Sequence, residues 1–196
     1  MNYQLITLGL SAGGLQALSV LLPALPEDFS LPIAIVQHRS RDSHTLVTVL
    51  QEDSRLRVCE IEDKMPLDFA QVFLAPSDYH VLVEDGYFAL STEAPVTYSR
   101  PSIDVFFESA ADQLGPAVIG VVMTGANRDG SVGLARIHRA GGHAIVQNPA
   151  TAEVAVMPRA ALEAVPGACV LSLSEIADHL IALAHDGHAA CARGAS

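Results

Sequence analysis

The stretch YQLITLGLSAGG, from Tyr3 to Gly14, decides the fold prediction. Its first part is a continuous apolar run of strand length, which is typical of a strand buried on both faces of a parallel sheet. The run stops at Ser11, two glycines follow, and leucines then recur at helical spacing until Pro23, where we predict that the helix ends. A buried strand that leads through a polar turn into a helix predicts the start of an α/β fold.

The same alternation continues along the chain. We predict further buried strands in LPIAIVQH (31–38), AVIGVVMTG (117–125) and HAIVQN (143–148), with helices between and after them. The middle of the chain has shorter strands, and EDG (84–86) between two of them is a hairpin signal. We therefore predict an α/β fold: a doubly wound, mostly parallel sheet in a three-layer α/β/α sandwich, with an antiparallel hairpin at one edge or end.

The length, the apolar content and the net charge of the chain limit the classes of protein to which it can belong. A chain of 196 residues, half of them apolar, predicts one domain over residues 1–186 and a frayed tail over 187–196. The net charge of -11 argues against nucleic acid and anionic membrane surfaces as partners.

Cys59, Cys169 and Cys191 lie far apart, so we expect no disulfide framework and a cytoplasmic location. We expect neither a cofactor nor a metal, since His185 and His188 are the only closely spaced histidines.

Three polar residues end the predicted buried strands. Ser11 follows the first strand, His38 the second, and Asp129 stands beyond the third at the mouth of a helix. The carboxyl ends of parallel strands lie on one rim, where ligands and reacting groups gather. Neighbouring strands are about 4.8 Å apart, so these side chains can reach one another. The residue types permit a relay in which Ser11 attacks, His38 carries the proton and Asp129 orients the imidazole.

Other interpretations of the serine stay open at this point. GLSAG fits the G-x-S-x-G pattern of a nucleophile elbow, but the order serine, histidine, aspartate differs from that of the α/β-hydrolases. Ser11 alone is more typical of a helix N-cap. GLSAGG is also compatible with a phosphate loop, although the lysine of a Walker motif is missing.

At this level of detail the sequence resembles the catalytic domain of the CheB-type protein-glutamate methylesterases, which are chemotaxis response regulators. The segments that carry the resemblance occur in family order from about Ile6 to about Ile181. They are LGLSAGG, IVQHRS, VFLAPSDYHVLV, RPSIDVFFESAA and GVVMTGANRDGSVGLARIHRAGGHAIVQNPATAEVAVMPRAA.

The resemblance implies a cytoplasmic hydrolase that demethylates glutamate methyl esters on chemoreceptors and releases methanol, with deamidation of receptor glutamines as a second activity. The implied partners are the cytoplasmic helices of methylated receptors, or a related sensory protein. The family motifs fall on Ser11, His38 and Asp129 as the catalytic residues. They also place oxyanion donors on the backbone near Ala12 and Ala126.

Two further motif segments of the family are implied to line the cleft, and they contain His80 and Arg100. Several departures from the family pattern keep an alternative open, namely a weak or inactive module that binds a receptor or signalling partner. Met1 stands directly before the first strand, so control by an N-terminal receiver domain of the same chain is not expected. Val156 replaces a family glycine, which would strain a left-handed backbone, and Ala126 also departs from the pattern.

Overall fold

The computed structural model describes residues 3–38, 45–67 and 70–186. Within these ranges the chain forms ten strands, six α-helices and a short 3₁₀ turn at Gly115–Ala117. The strands are β1 (Leu5–Leu10), β2 (Ile33–Gln37), β3 (Val58–Glu60), β4 (Met65–Pro66), β5 (Val72–Leu74), β6 (His80–Glu84), β7 (Tyr87–Ser91), β8 (Val118–Val122), β9 (His143–Gln147) and β10 (Cys169–Leu171). The helices are α1 (Gly14–Ala24), α2 (Leu46–Asp53), α3 (Ile103–Leu114), α4 (Ser131–Arg139), α5 (Val156–Ala164) and α6 (Leu173–Asp186).

Seven strands form one sheet in the order β10-β9-β8-β1-β2-β5-β3, and every pair in it is parallel. Helices α1, α2 and α6 cover one face, and α3, α4 and α5 cover the other. The predicted doubly wound α/β/α sandwich is therefore confirmed. The chain leaves β1 toward β2 on one side and returns to β8 on the other, so a topological switch point lies at β1.

Strand β1 shows why the apolar run forms a central strand. Leu5 packs into the core beneath α3, α4 and α5, whereas Ile6, Leu8 and Leu10 pack into the core beneath α1 and α6. All four side chains are fully buried. Alternate residues of a strand point to opposite faces, and each buried aliphatic side chain contributes roughly 1.5–3 kcal/mol to folding.

The predicted hairpin is present, with Gly86 in the turn at φ 82°. It does not extend the main sheet, because β6 and β7 form a separate antiparallel sheet with β4. The reason is its apolar face: Phe88 packs against Phe73 of the main sheet and Phe106 of α3, with ring centroids 5.0 and 6.5 Å apart. The small sheet thus packs against one side of α3.

Helix α1 differs slightly from its prediction, because Pro23 lies inside the helix and Ala24 is its last residue. The domain extent of 1–186 stays a prediction, and the predicted tail, 187–196, lies outside the described residues. Among the residues that the structure describes, none of the helices combines the length and the apolar character needed to cross a bilayer.

Candidate active site

Strand register places Ser11 and His38 side by side. Leu10 of β1 pairs with Gln37 of β2, so the next residue of each strand is opposite the other and on the same face of the sheet. The backbone N–H of His38 donates to the carbonyl of Leu10 at 3.1 Å, which continues this register past the strand end. On the other side, the N–H of Ser11 donates to the carbonyl of Thr124 at 2.9 Å.

The turn after Ser11 depends on a glycine with a left-handed backbone. Gly13 has φ 78° and is the N-cap residue of α1, and the N–H of Gly14 returns to the carbonyl of Ser11 at 2.9 Å. The N-cap interpretation of Ser11 is therefore wrong, because Gly13 takes that position two residues later. A Cβ at Gly13 would lie 2.7 Å from the Cβ of Glu153, so the backbone here also approaches a neighbouring loop closely. The serine side chain is left at the rim without a capping role.

Asp129 is the most extensively bonded polar group of the rim. Its side chain is fully buried, and His38 Nε2 donates to Oδ2 at 2.8 Å. Three groups at the start of α3 also donate to this carboxylate: the N–H of Ile103 at 2.7 Å, the N–H of Asp104 at 3.0 Å and the hydroxyl of Ser102 at 2.9 Å. A buried carboxylate with four donors is fully satisfied, so its position is fixed.

The pKa of Asp129 reflects these contacts. Burial on its own would raise the pKa, but the hydrogen bond from His38 and the backbone N–H groups of Asp104 and Ile103 outweigh burial and lower it. The carboxylate therefore stays ionised. An ionised carboxylate in this position can orient the ring of His38 and stabilise a positive charge on it.

The structure shows no hydrogen bond between the hydroxyl of Ser11 and the ring of His38. His38 Nε2 donates to Asp129, so Nδ1 is the ring nitrogen left to accept a proton, and it lies 3.5 Å from the amide nitrogen of Asn127. Among the described residues, none forms a hydrogen bond with the hydroxyl of Ser11. Such bonds in substrate-free hydrolases often shorten only when substrate binds. Ser11 lines a cleft of about 590 Å³ whose other walls include Gly13, Gln16, Val49, Asp53 and Glu153.

Ala12 and Ala126, the predicted oxyanion positions, both lie exposed at this rim. Neither backbone N–H donates to an acceptor among the described residues, so both remain available to a bound oxygen. The carbonyl of Ala12 accepts a hydrogen bond from the hydroxyl of Thr124 at 2.8 Å, which fixes the peptide unit between Ala12 and Gly13.

The structure places His80 and Arg100 in hydrogen bonds near the start of α3, and their predicted place in the cleft stays a prediction. His80 is buried, where Nδ1 accepts from the N–H of Ser102 at 3.2 Å and Nε2 donates to the carbonyl of Ala94 at 3.1 Å. Arg100 is bonded to Asp78 at 2.7 Å and also donates to two carbonyls of the segment after β7. Both side chains therefore use their hydrogen-bonding groups to fix the segment that leads into α3.

The departure at Val156 causes no backbone strain. Val156 is the first residue of α5, and the structure does not place it among the residues with positive φ. The concern about a left-handed backbone at this position is therefore wrong, because the chain is already helical there. Its side chain is about half exposed, so the larger residue also finds space.

Sequence reasoning missed several residues that position the site. Neither Ser102 nor Asp104 was predicted to belong to the site. Gln37 donates from Nε2 to the carbonyl of Ser11 at 2.8 Å and to that of His38 at 3.0 Å, which ties the two strand ends together. The signal for Ser102 was its position after Pro101 at a helix start, but nothing in the spacing indicates that its hydroxyl reaches Asp129.

A parallel α/β sandwich with a serine, a histidine and a buried aspartate at its switch point defines the class of the protein, a serine hydrolase that is not an α/β-hydrolase. The comparison with known families agrees. The sequence model of the CheB methylesterase family matches residues 6–180, and the chain belongs to this family. The predicted family is confirmed.

Individual relatives support the same assignment. A curated protein of Leptospira interrogans is 45% identical over 185 residues, which are 93% of this chain and 96% of that protein. The protein-glutamate methylesterase/protein-glutamine glutaminase 2 of Anaeromyxobacter dehalogenans is 42% identical over 175 residues, and this chain spans 51% of its length. The crystal structure of the Thermotoga maritima CheB methylesterase catalytic domain is similar with a TM-score of 0.88 and 30% identity, covering 93% of this chain and all of that one.

Proposed function

We propose that this chain hydrolyses the methyl esters of glutamyl side chains, with Ser11 as nucleophile, His38 as base and Asp129 as the orienting carboxylate. The observation that carries the proposal is the 2.8 Å hydrogen bond between His38 Nε2 and Asp129, made where β1 and β2 bring Ser11 next to His38. This bond leaves Nδ1 as the ring nitrogen that can accept the proton of the serine. Family membership supports the reaction class.

In the first half of the reaction, Nδ1 of His38 takes the hydroxyl proton as Ser11 Oγ attacks the ester carbonyl. The carbonyl oxygen becomes negative, and the free N–H groups of Ala12 and Ala126 are the donors we assign to it. When the tetrahedral intermediate collapses, the bond to the methoxy group breaks and His38 returns its proton to the leaving oxygen. The products of this half are methanol and a glutamyl ester of Ser11.

In the second half, His38 takes a proton from water, and the resulting hydroxide attacks the ester on Ser11. Collapse of the second intermediate releases the glutamate carboxylate and returns the proton to Ser11 Oγ. The same steps release ammonia from a glutamine side chain, which accounts for the second, glutaminase activity that we propose. Each proton transfer uses a side chain of this chain, and no step calls for a cofactor.

The substrates we propose are the methylated cytoplasmic helices of chemoreceptors, or those of a related sensory protein, and the location we propose is the cytoplasm. The cleft beside Ser11 carries the acidic side chains of Asp53 and Glu153. Methyl-glutamyl and glutaminyl side chains are neutral and can approach such a cleft. The product carboxylate is negative and is repelled by it, which favours its release.

The test is methanol release from methylated receptor fragments by wild type and Ser11→Ala. We expect the variant to lose at least about a thousandfold in rate, because its nucleophile is gone. Ser174→Ala is the matched control and should keep full activity, because this exposed serine follows the edge strand β10, which is three strands away from β1. Equal release by Ser11→Ala and wild type, with unchanged folding, would refute the assignment and leave a receptor-binding module as the alternative.

A further inference from the structure

A second cluster of polar side chains lies at the opposite end of the sheet from Ser11. His143 is the first residue of β9, and His179 projects from α6. Their Nε2 atoms are 2.9 Å apart, and the ring centroids are 5.1 Å apart with the planes tilted by 42°. Both residues are half-buried. Neither histidine belongs to the candidate active site. Because they are 36 positions apart in the chain, their spacing in the sequence does not predict that they are in contact.

We propose that His143 and His179 bind one divalent transition-metal ion of the Zn²⁺ class through their Nε2 atoms. Zinc–nitrogen bonds are about 2.0–2.1 Å long, so two imidazoles on one ion hold their nitrogens about 2.9–3.4 Å apart. The observed 2.9 Å already falls in this range. In the metal-free pair, one imidazole donates its Nε2 proton to the other. An ion would replace that single proton once the two rings swing so that both Nε2 lone pairs meet at it, because centroids 5.1 Å apart show that the rings now point almost directly at each other.

The protonation state of the pair suits a metal ligand. Burial, together with the neighbouring His179 and His138, lowers the pKa of His143 to about 4, and burial also lowers the pKa of His179. Both rings are therefore neutral near pH 7, and the neutral imidazole is the form that coordinates. Neutral nitrogen donors favour Zn²⁺, Ni²⁺ or Cu²⁺ over Mg²⁺ and Ca²⁺, which prefer oxygen ligands.

A sulfur atom lies close to the same point. Cys169 Sγ and the two histidine nitrogens all lie within 4.8 Å of one another. Cys169 is disulfide-bonded, although the wide spacing of the cysteines in the sequence predicted no disulfide framework. The proposed site does not use this sulfur as a thiolate. It rests on the two imidazoles, with water in the remaining coordination positions.

The test is a titration of the full chain, stripped with a chelator and kept in non-reducing buffer, with ZnCl₂ and separately with MgCl₂. Because an ion that binds the folded state raises its stability, we expect Zn²⁺ to bind at one ion per chain by calorimetry and to raise the Tm. MgCl₂ should do neither. His143→Ala and His179→Ala should each lose at least about tenfold in Zn²⁺ affinity, and His185→Ala, an exposed histidine of α6, should keep it.

A second measurement guards against misfolded variants. Circular dichroism should be the same for all four proteins, and His179→Asn should repeat the result of His179→Ala if the latter is unstable. Co²⁺ in place of Zn²⁺ should develop a visible absorption band in wild type that both histidine variants lack. The proposal is overturned by no Zn²⁺ binding to wild type, or by equal binding to wild type and the two variants.

Discussion

Substitution of Asp104 by asparagine should stabilise the protein at neutral pH. Burial raises the pKa of Asp104 from 3.8 to about 6, opposed by the N–H of Gly133 and supported by the nearby charge of Asp129. Its Oδ1 accepts from the N–H of Gly133 at 2.8 Å, an acceptor that asparagine keeps. The substitution thus removes a charge from a half-buried position and keeps the hydrogen bond from Gly133, while giving up the contact with the N–H of Gly130, which affects the pKa less.

The sign of the effect follows from where the proton binds more tightly. Because the pKa is higher in the folded chain, the folded state loses stability relative to the unfolded state as pH rises from 3.8 through about 6. A pKa difference of this size corresponds to about 3 kcal/mol at full value. Asp104 is partly exposed, so solvent screening reduces it, and we expect Asp104→Asn to gain about 1–2 kcal/mol above about pH 7.

The assay is urea unfolding of wild type and Asp104→Asn at a series of pH values. The two free energies of unfolding should agree near about pH 4 and diverge by about 1–2 kcal/mol by about pH 7.5. Glu163→Gln, an exposed carboxylate of α5, is the matched control and should shift stability by less than about 0.5 kcal/mol at every pH. If wild type and Asp104→Asn kept the same difference at all pH values, the argument from burial would be refuted.

Three further outcomes are expected. Ser102→Ala removes a buried donor to Asp129 and the N-cap of α3, so the free energy of unfolding in urea should fall by about 1–3 kcal/mol. The same variant should lower kcat for methanol release more than it changes KM. An unchanged kcat would contradict a positioning role. Gly13→Ala should lose at least about 1–2 kcal/mol, because φ is positive and Cβ meets a neighbouring loop, and an unchanged Tm would argue against this. Arg136→Gln breaks an exposed ion pair with Asp112 and should change the free energy of unfolding by less than about 1 kcal/mol.

The central strands and the rim were predictable because their signals are local. Every residue of β1 is buried, and its sequence is apolar except at Thr7; β2 is apolar up to Gln37, and β8 is apolar throughout. Once those strands are taken as parallel, their ends must share a rim. The contact between His38 and Asp129 then follows from topology, and the structure places these two side chains in hydrogen-bond contact.

The positioning of the site was not predictable, because it depends on packing between distant segments. Ser102 reaches Asp129 only because the first turn of α3 faces the loop after β8, and no spacing within RPSID or NRDG carries that information. His80 was predicted to line the cleft from its motif, yet it lies buried behind Ser102, since the hairpin forms its own sheet against α3.

The carboxylate of Asp129 is held by donors from the start of α3, although the serine and histidine it serves belong to the first two strands. Three stretches widely separated along the chain must therefore dock before the relay exists. A fragment that ends before α3 would carry the proposed nucleophile and the proposed base, and we expect it to have no catalytic activity. We therefore expect the rate of turnover to depend on complete tertiary assembly. If α3 alone came loose from the domain, activity should be lost while most of the sheet stayed folded.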